Sequence, residues 1–197
     1  MDHANATPRA PAPMTDAQIR AVTIGEMAPP GKITLAEYDP AWPTLYEREA
    51  GRIRAALGER VAVLEHVGST SVPGLAAKPL IDILLVVPDS SHEAAYVPDL
   101  ECAGYVLRIR EPDDLEHRLF KGPDTDINLH VYSVGCPEPS RMLRFRDHLR
   151  RDEADRKLYE RTKCALAGRV WGHVQNYADA KSAVIAEIML RAADSGA

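Results

Sequence analysis

Apolar residues recur with a helical period at Trp42, Leu45, Tyr46, Ala50, Ile53 and Leu57, which predicts an amphipathic helix with one face turned to a core. Asp39 caps that helix with Pro40 in the first helical position, or the start slips so that Pro43 occupies it; Gly58 ends it. A short strand over residues 32–37 precedes it, and residues 61–67 form an apolar run that breaks at Gly68-Ser69-Thr70-Ser71. Residues 80–87 are apolar almost throughout, the pattern of a central strand covered on both faces, and Asp82 is the only polar residue in it. Further on, residues 91–103 read as a helix capped by Ser90 or Ser91 and closed by Gly104. Residues 105–110, 117–121 and 126–133 read as strands, the last two joined by the turn Gly122-Pro123-Asp124-Thr125. Helical periodicity fills the remainder, over residues 138–151, 153–166 and 173–192.

This order, strands with interspersed helices and then a run of helices, implies an α+β fold: a mixed β-sheet flanked by helices, with a helical C-terminal part packed against it. It does not imply a strand order. Residues 31–194 read as one domain, and residues 1–30, rich in Ala and Pro, as a flexible tail with at most a turn or two of helix near Asp16. No apolar stretch approaches the length of a membrane span, so a membrane partner is not expected. A net charge of −5 gives no general field for nucleic acid, although a local basic cleft is compatible with it. Cys102, Cys136 and Cys164 are odd in number and widely spaced, which suits free thiols in a reducing cytoplasm.

A carboxylate inside so apolar a strand is costly unless it meets a cation or hydrogen-bond donors, which makes Asp82 the leading candidate for chemistry. The Gly-Ser-Thr-Ser loop stands shortly before it. Glycine lets the backbone approach a bulky anion, and the backbone and hydroxyls of Gly68, Ser69, Thr70 and Ser71 are candidate phosphate donors. Asp82 with His130 and His66 forms a candidate metal-ligand set, better suited to zinc or manganese than to magnesium, while His130 or His117 is the candidate general base. Lys163, four residues after Tyr159, and Lys181, four after Tyr177, both fall on apolar helix faces, where an inward ammonium seeks an anion. Lys78, Arg118 and Asn128 complete the candidate ligand-binding residues, together with Tyr177.

The stretch Glu65-His66-Val67-Gly68-Ser69-Thr70-Ser71-Val72-Pro73-Gly74-Leu75-Ala76-Ala77-Lys78-Pro79-Leu80-Ile81-Asp82-Ile83 resembles the signature of the GrpB family. The resemblance extends to Tyr38-x-Pro40-x-Trp42-Pro43, His117-Arg118-Leu119-Phe120, Asn128-Leu129-His130-Val131, Phe145 to Arg150, and Tyr177 with Lys181, covering about residues 32–192. It implies the nucleotidyltransferase superfamily and its polymerase-β-like fold, a nucleoside triphosphate as substrate or ligand, and a divalent metal, Mg, Mn or Zn. Active nucleotidyltransferases carry Asp-x-Asp on the strand after the loop and a third acid on a later strand. Here Leu84 stands in the second position, and Asn128 and His130 on the later strand, so the acidic triad is incomplete. Two readings follow: transfer of a nucleotidyl or phosphoryl group to a small molecule, or a non-catalytic nucleotide-binding or accessory module such as the GrpB-like domains fused to dephospho-CoA kinase. A monomer and a homodimer suit the sequence equally.

Overall fold

The computed structural model describes residues 13–27 and 30–194. Its first element, α1 (Asp16–Val22), begins in a capping box, with Thr15 Oγ1 accepting from the Gln18 N–H and Gln18 Oε1 from the Thr15 N–H. Ile19 is buried and the Ile24 N–H donates to the Arg108 carbonyl, so the described part of the segment read as a flexible tail is docked on the sheet. Residues 1–12, 28 and 29 of that tail lie outside the described residues. Strand β1 is confined to Gly31–Lys32, shorter than the pattern predicts, because its only partner among the described residues is an equally short strand near residue 170.

Helix α2 (Trp42–Leu57) has Ala41 at its N-cap without a side-chain cap. Asp39, which accepts from the Ala41 N–H, therefore stands before the helix, Pro40 is not its first residue, and Pro43 falls in its first turn. The helix stops at Gly58, whose φ of 56° favours glycine. Strands β2 (Val63–Val67) and β3 (Ile81–Val87) follow. The single helix expected over residues 91–103 is instead a 3₁₀ turn (Glu93–Ala95) and a short α3 (Val97–Cys102). Pro98 explains the division, since it lacks an N–H and its ring crowds the preceding turn. Neither serine caps this region: Ser91 donates to Asp89, and the Ser90 hydroxyl reaches the Glu116 carbonyl.

Strands β4 (Val106–Glu111), β5 (His117–Lys121) and β6 (Ile127–Ser133) form a meander. Helices α4 (Pro137–Arg151) and α5 (Glu153–Ala167) lead to β7 (Val170–Trp171), which pairs antiparallel with β1. The expected helix over residues 173–192 is divided into α6 (Val174–Asp179) and α7 (Ser182–Asp194). Between them the Lys181 N–H takes the Ala178 carbonyl, a tighter turn than an α-helix makes.

The main sheet has the order β2-β3-β6-β5-β4, with β3 and β6 parallel and the other neighbours antiparallel. The architecture is therefore α+β, a mixed sheet flanked by helices with a helical C-terminal part. One sheet face, carrying Leu64, Ile83, Leu85, Phe120, Leu129 and Val131, packs on α2 and α3. The other face carries Leu84, Val86 and Tyr132 beneath Met142 and Leu143 of α4. A third apolar cluster joins Val72 and Leu75 of the loop to Leu149, Tyr159, Val184 and Ile188 of α4, α5 and α7. Because α4 covers only part of its face, the Asp82 end of the central strands opens into a cleft roofed by α5, α6 and α7.

Candidate functional site

Gly68 has φ 67° and ψ −171°, a region open essentially to glycine alone. A Cβ there would stand 2.8 Å from the Asp82 Cβ and run into the carboxylate, so the loop glycine is what lets Asp82 lie against the chain. The next residues coil into a 3₁₀ turn (Ser69–Ser71), and this spends two of the expected phosphate donors on the fold. Thr70 Oγ1 donates to the Leu80 carbonyl and accepts from His66 Nε2, and the Ser71 hydroxyl donates to the Gly68 carbonyl. Of the three loop hydroxyls only Ser69 lines the cleft.

Strand register gathers the next groups. Asp82 is opposite Asn128, and Leu84 opposite His130, so period-two alternation puts Asp82, Asn128 and His130 on one face. Asn128 Nδ2 donates to Asp82 Oδ1 at 3.0 Å, and His130 Nε2 stands 3.6 Å from the same oxygen. Burial raises the Asp82 carboxyl, but the charge of His130, the Asn128 amide and the Lys181 ammonium together hold it below the usual carboxylate range.

Behind His130 runs a chain of hydrogen bonds. His130 Nδ1 lies 3.1 Å from His117 Nε2, and His117 Nδ1 lies 2.6 Å from Glu111 Oε2. The two imidazole planes are only 17° apart with 5.2 Å between centroids, and His117 also stacks on Tyr132. An ionised carboxylate only accepts, so Nδ1 of His117 carries the proton. Burial pushes His117 below its ordinary pKa against the opposing pull of Glu111, which favours the neutral ring whose Nε2 accepts from His130 Nδ1–H. That arrangement leaves His130 Nε2 at the cleft wall, facing Asp82, while Nδ1 is taken up by His117. Glu111 was not among the residues singled out from sequence. The signal was present: it stands across a tight turn from His117, and the two pair in register.

Two candidates fall elsewhere. His66 is paired with Ile83, on the sheet face opposite Asp82, where it stacks on Tyr46 at 5.0 Å. Burial, only partly offset by Asp82, holds its pKa down to about 4, and it belongs to the fold rather than to the cleft. Arg118 also projects to the opposite face, buried between Glu93 at 2.6 Å and Glu116 at 3.0 Å, so it is not a ligand clamp. His66 carries a pH prediction. The unfolded chain takes a proton near pH 6.5 and the native ring only near 4, so stability falls as pH drops through that window. Between pH 7.5 and 5 His66 contributes a loss of about 2 kcal/mol, read from urea unfolding. His66→Gln, which keeps a donor for Thr70, flattens that slope; an unchanged slope would locate the acid sensitivity elsewhere.

Cations face the acid across the cleft, a space of about 330 Å³. Lys78, Lys163, Lys181 and Arg141 line it, against Asp82 as its single acidic side chain. Lys163 is buried; its Nζ donates to the Ala76 carbonyl and lies 5.0 Å from the Tyr159 ring centroid. Burial first, and then the neighbouring Lys181, lower its pKa to about 7. Lys181 Nζ stands 4.6 Å over the Tyr177 ring, and Arg141, which the sequence did not point to, is paired with Glu138. The Tyr177 hydroxyl is buried and has no hydrogen-bond partner among the described residues.

The residues present do not build a two-metal centre. Among the described residues Asp82 is the only carboxylate on the cleft, its neighbours are an amide and one imidazole, and Mg²⁺ prefers carboxylate and water oxygens. Among the described residues the one compact His/Asp group is His148, Asp152 and Asp155, away from the cleft. Its atoms serve the fold: Asp152 caps α5, and Asp155 accepts from Arg191 and pairs with His148. No described helix is long and apolar enough to cross a membrane.

The family model described as GrpB protein matches residues 32–191. A UPF0157 protein of Halalkalibacterium halodurans is 61% identical over 192 residues, which span 97% of this chain and 96% of that relative. The crystal structure of the conserved protein GrpB from Enterococcus faecalis superposes with a TM-score of 0.70 at 32% identity, over 82% of this chain and 98% of that one. At 28% identity, a protein named dephospho-CoA kinase from Mycolicibacterium paratuberculosis matches 82% of this chain, which covers 46% of that protein's length.

Proposed function

Because the chain belongs to the GrpB family, we propose that its cleft binds a phosphorylated small molecule of the nucleotide class, with the phosphates among Lys78, Lys163 and Lys181. The observation that carries the reading is charge placement. A protein with net charge −5 concentrates four cationic side chains around one cleft whose only acid is Asp82. Lys163 is the strongest part of this argument, since its ammonium is buried and one of its three N–H donors goes to Ala76. An anion in the cleft stabilises its charged form, as it does that of Lys181. A divalent cation enters this reading as the counter-ion of the ligand's own phosphates, with Asp82 as the carboxylate that faces it.

The Glu111–His117–His130 chain favours a finer reading in which the bound ligand also reacts. Glu111 and His117 orient His130, whose Nε2 takes a proton from a hydroxyl of the ligand or of an acceptor, and Asp82 stabilises the imidazolium that results. Binding without turnover is the alternative, and the match to part of a protein named dephospho-CoA kinase suits an accessory module of that kind.

Calorimetric titration and thermal shift with inorganic tripolyphosphate and with ATP, each in EDTA and in Mg²⁺, test the binding. Both anions are expected to raise the melting temperature by mass action, about 2.7 kcal/mol of stabilisation at a hundredfold excess over Kd. Absence of any shift with either anion, in either buffer, would remove the reading.

A further inference from the structure

A second pocket, of about 290 Å³, adjoins the cleft and shares Lys78 and Val174 with it as a common wall. Lys32, Thr34, Asp126 and Trp171 complete the part of its lining that matters here. We infer that this pocket seats the planar base of the same ligand, stacked on Trp171, while its phosphates lie in the cleft beyond Lys78. The inference rests on the phosphate-binding reading above.

Several observations converge on it. The two-stranded β1–β7 ribbon sets Gly31 opposite Trp171 and Lys32 opposite Val170, and so brings Gly31, Lys32 and Trp171 together in the wall of this pocket. Trp171 is held in place there: its Nε1–H donates to the Leu166 carbonyl and its ring meets Tyr177 at 69° with 6.0 Å between centroids. It nevertheless stays half-buried, and its remaining surface lines the pocket. A fixed indole with free surface is a platform on which any base can stack. Thr34 and Asp126 offer hydrogen-bonding groups to a base edge, and Lys32 and Lys78 flank the route toward the phosphates. The Tyr177 ring lines the cleft and meets Trp171, so the two aromatic rings join the cleft wall to the pocket. Both spaces stand at the lower end of the size range of ligand sites, and a ligand with a flat end and an anionic end occupies both.

The chain contains two tryptophans, and Trp42 is buried in the core beneath the other sheet face, so a ligand-dependent change in indole fluorescence reports Trp171. Titrating the full chain with ATP is expected to quench that emission and to give a Kd about tenfold or more below that of tripolyphosphate. Trp171→Leu is expected to remove this surplus and leave tripolyphosphate binding unchanged, whereas Trp171→Phe keeps most of it. Equal affinities for ATP and tripolyphosphate with unquenched wild-type fluorescence would overturn the base site and leave phosphate binding standing. Failure of tripolyphosphate and ATP alike to bind would overturn both. The fluorescence arm uses the unaltered protein, so a variant that folds poorly does not remove the test.

Discussion

Replacing Lys163 by methionine is expected to raise the melting temperature and, in the same variant, to weaken polyphosphate binding at least tenfold. The two effects share one cause. Lys163 is buried and its pKa is lowered to about 7, chiefly by burial and then by Lys181. A lysine titrating near 10.4 when unfolded and near 7 when folded makes the native state bind fewer protons between those values. Its stability cost is therefore absent above pH 10.4, grows as pH falls through the window, and reaches several kcal/mol below pH 7. Methionine keeps much of the volume and removes the charge, but it leaves the Ala76 carbonyl without its donor, which takes back about 1–3 kcal/mol. A net gain of about 1–3 kcal/mol follows, or roughly 2–10 °C, larger at pH 6 than at pH 9.5. The binding loss reflects removal of a charge-assisted contact, worth about 1.5–3 kcal/mol. A destabilised variant that bound tripolyphosphate normally would show that Lys163 serves the fold and not a ligand.

Gly68→Ala is the most damaging single-methyl change expected near the cleft. The residue sits at φ 67° and ψ −171°, which costs an alanine about 1–3 kcal/mol, and the new Cβ would also overlap the Asp82 side chain. Relief requires Asp82 to swing from its bond with Asn128 or the β2 end to move away from β3. The expected loss is about 3 kcal/mol or more, together with loss of nucleotide binding in the fraction that still folds. Gly104→Ala is the control: its φ is 92° and its added Cβ would stand 2.9 Å from Pro123, outside the cleft lining. That variant is expected to lose stability yet bind normally. Equal loss of binding in both would mean that ligand affinity simply follows global stability, and the special role given to Gly68 would fail.

How much of this was legible beforehand differs from element to element. The run over residues 80–87 identified the central strand and its one acid because apolarity on both faces is a local property of the sequence. Tyr159 with Lys163 was readable as a neighbour pair because four residues make about one helical turn; Lys181 also meets Tyr177, but from the turn between α6 and α7 rather than along one helix. Alternation along β5 already forbids His117 and Arg118 from sharing a face, so one of the two had to leave the cleft. Which one left depended on register: His117 stands opposite Glu111, and Leu119 opposite His130. The break of the last helix between Asp179 and Ser182 had no glycine or proline to announce it. Pro98 did announce the division of the segment over residues 91–103.

The sequence by itself determined the α+β class, the helix and strand periods, the loop glycine, the buried strand acid and the inward lysines, since each follows from the chemistry of residues a few positions apart. Only the tertiary structure decided that Asp82 meets His130, that His130 leans on His117 and Glu111, and that Trp171 joins Lys32 beside the cleft. Those meetings join residues far apart in the chain through strand pairing and helix packing. Register and pairing partner follow from the best simultaneous burial of several apolar faces, and no local window of sequence contains that global minimum.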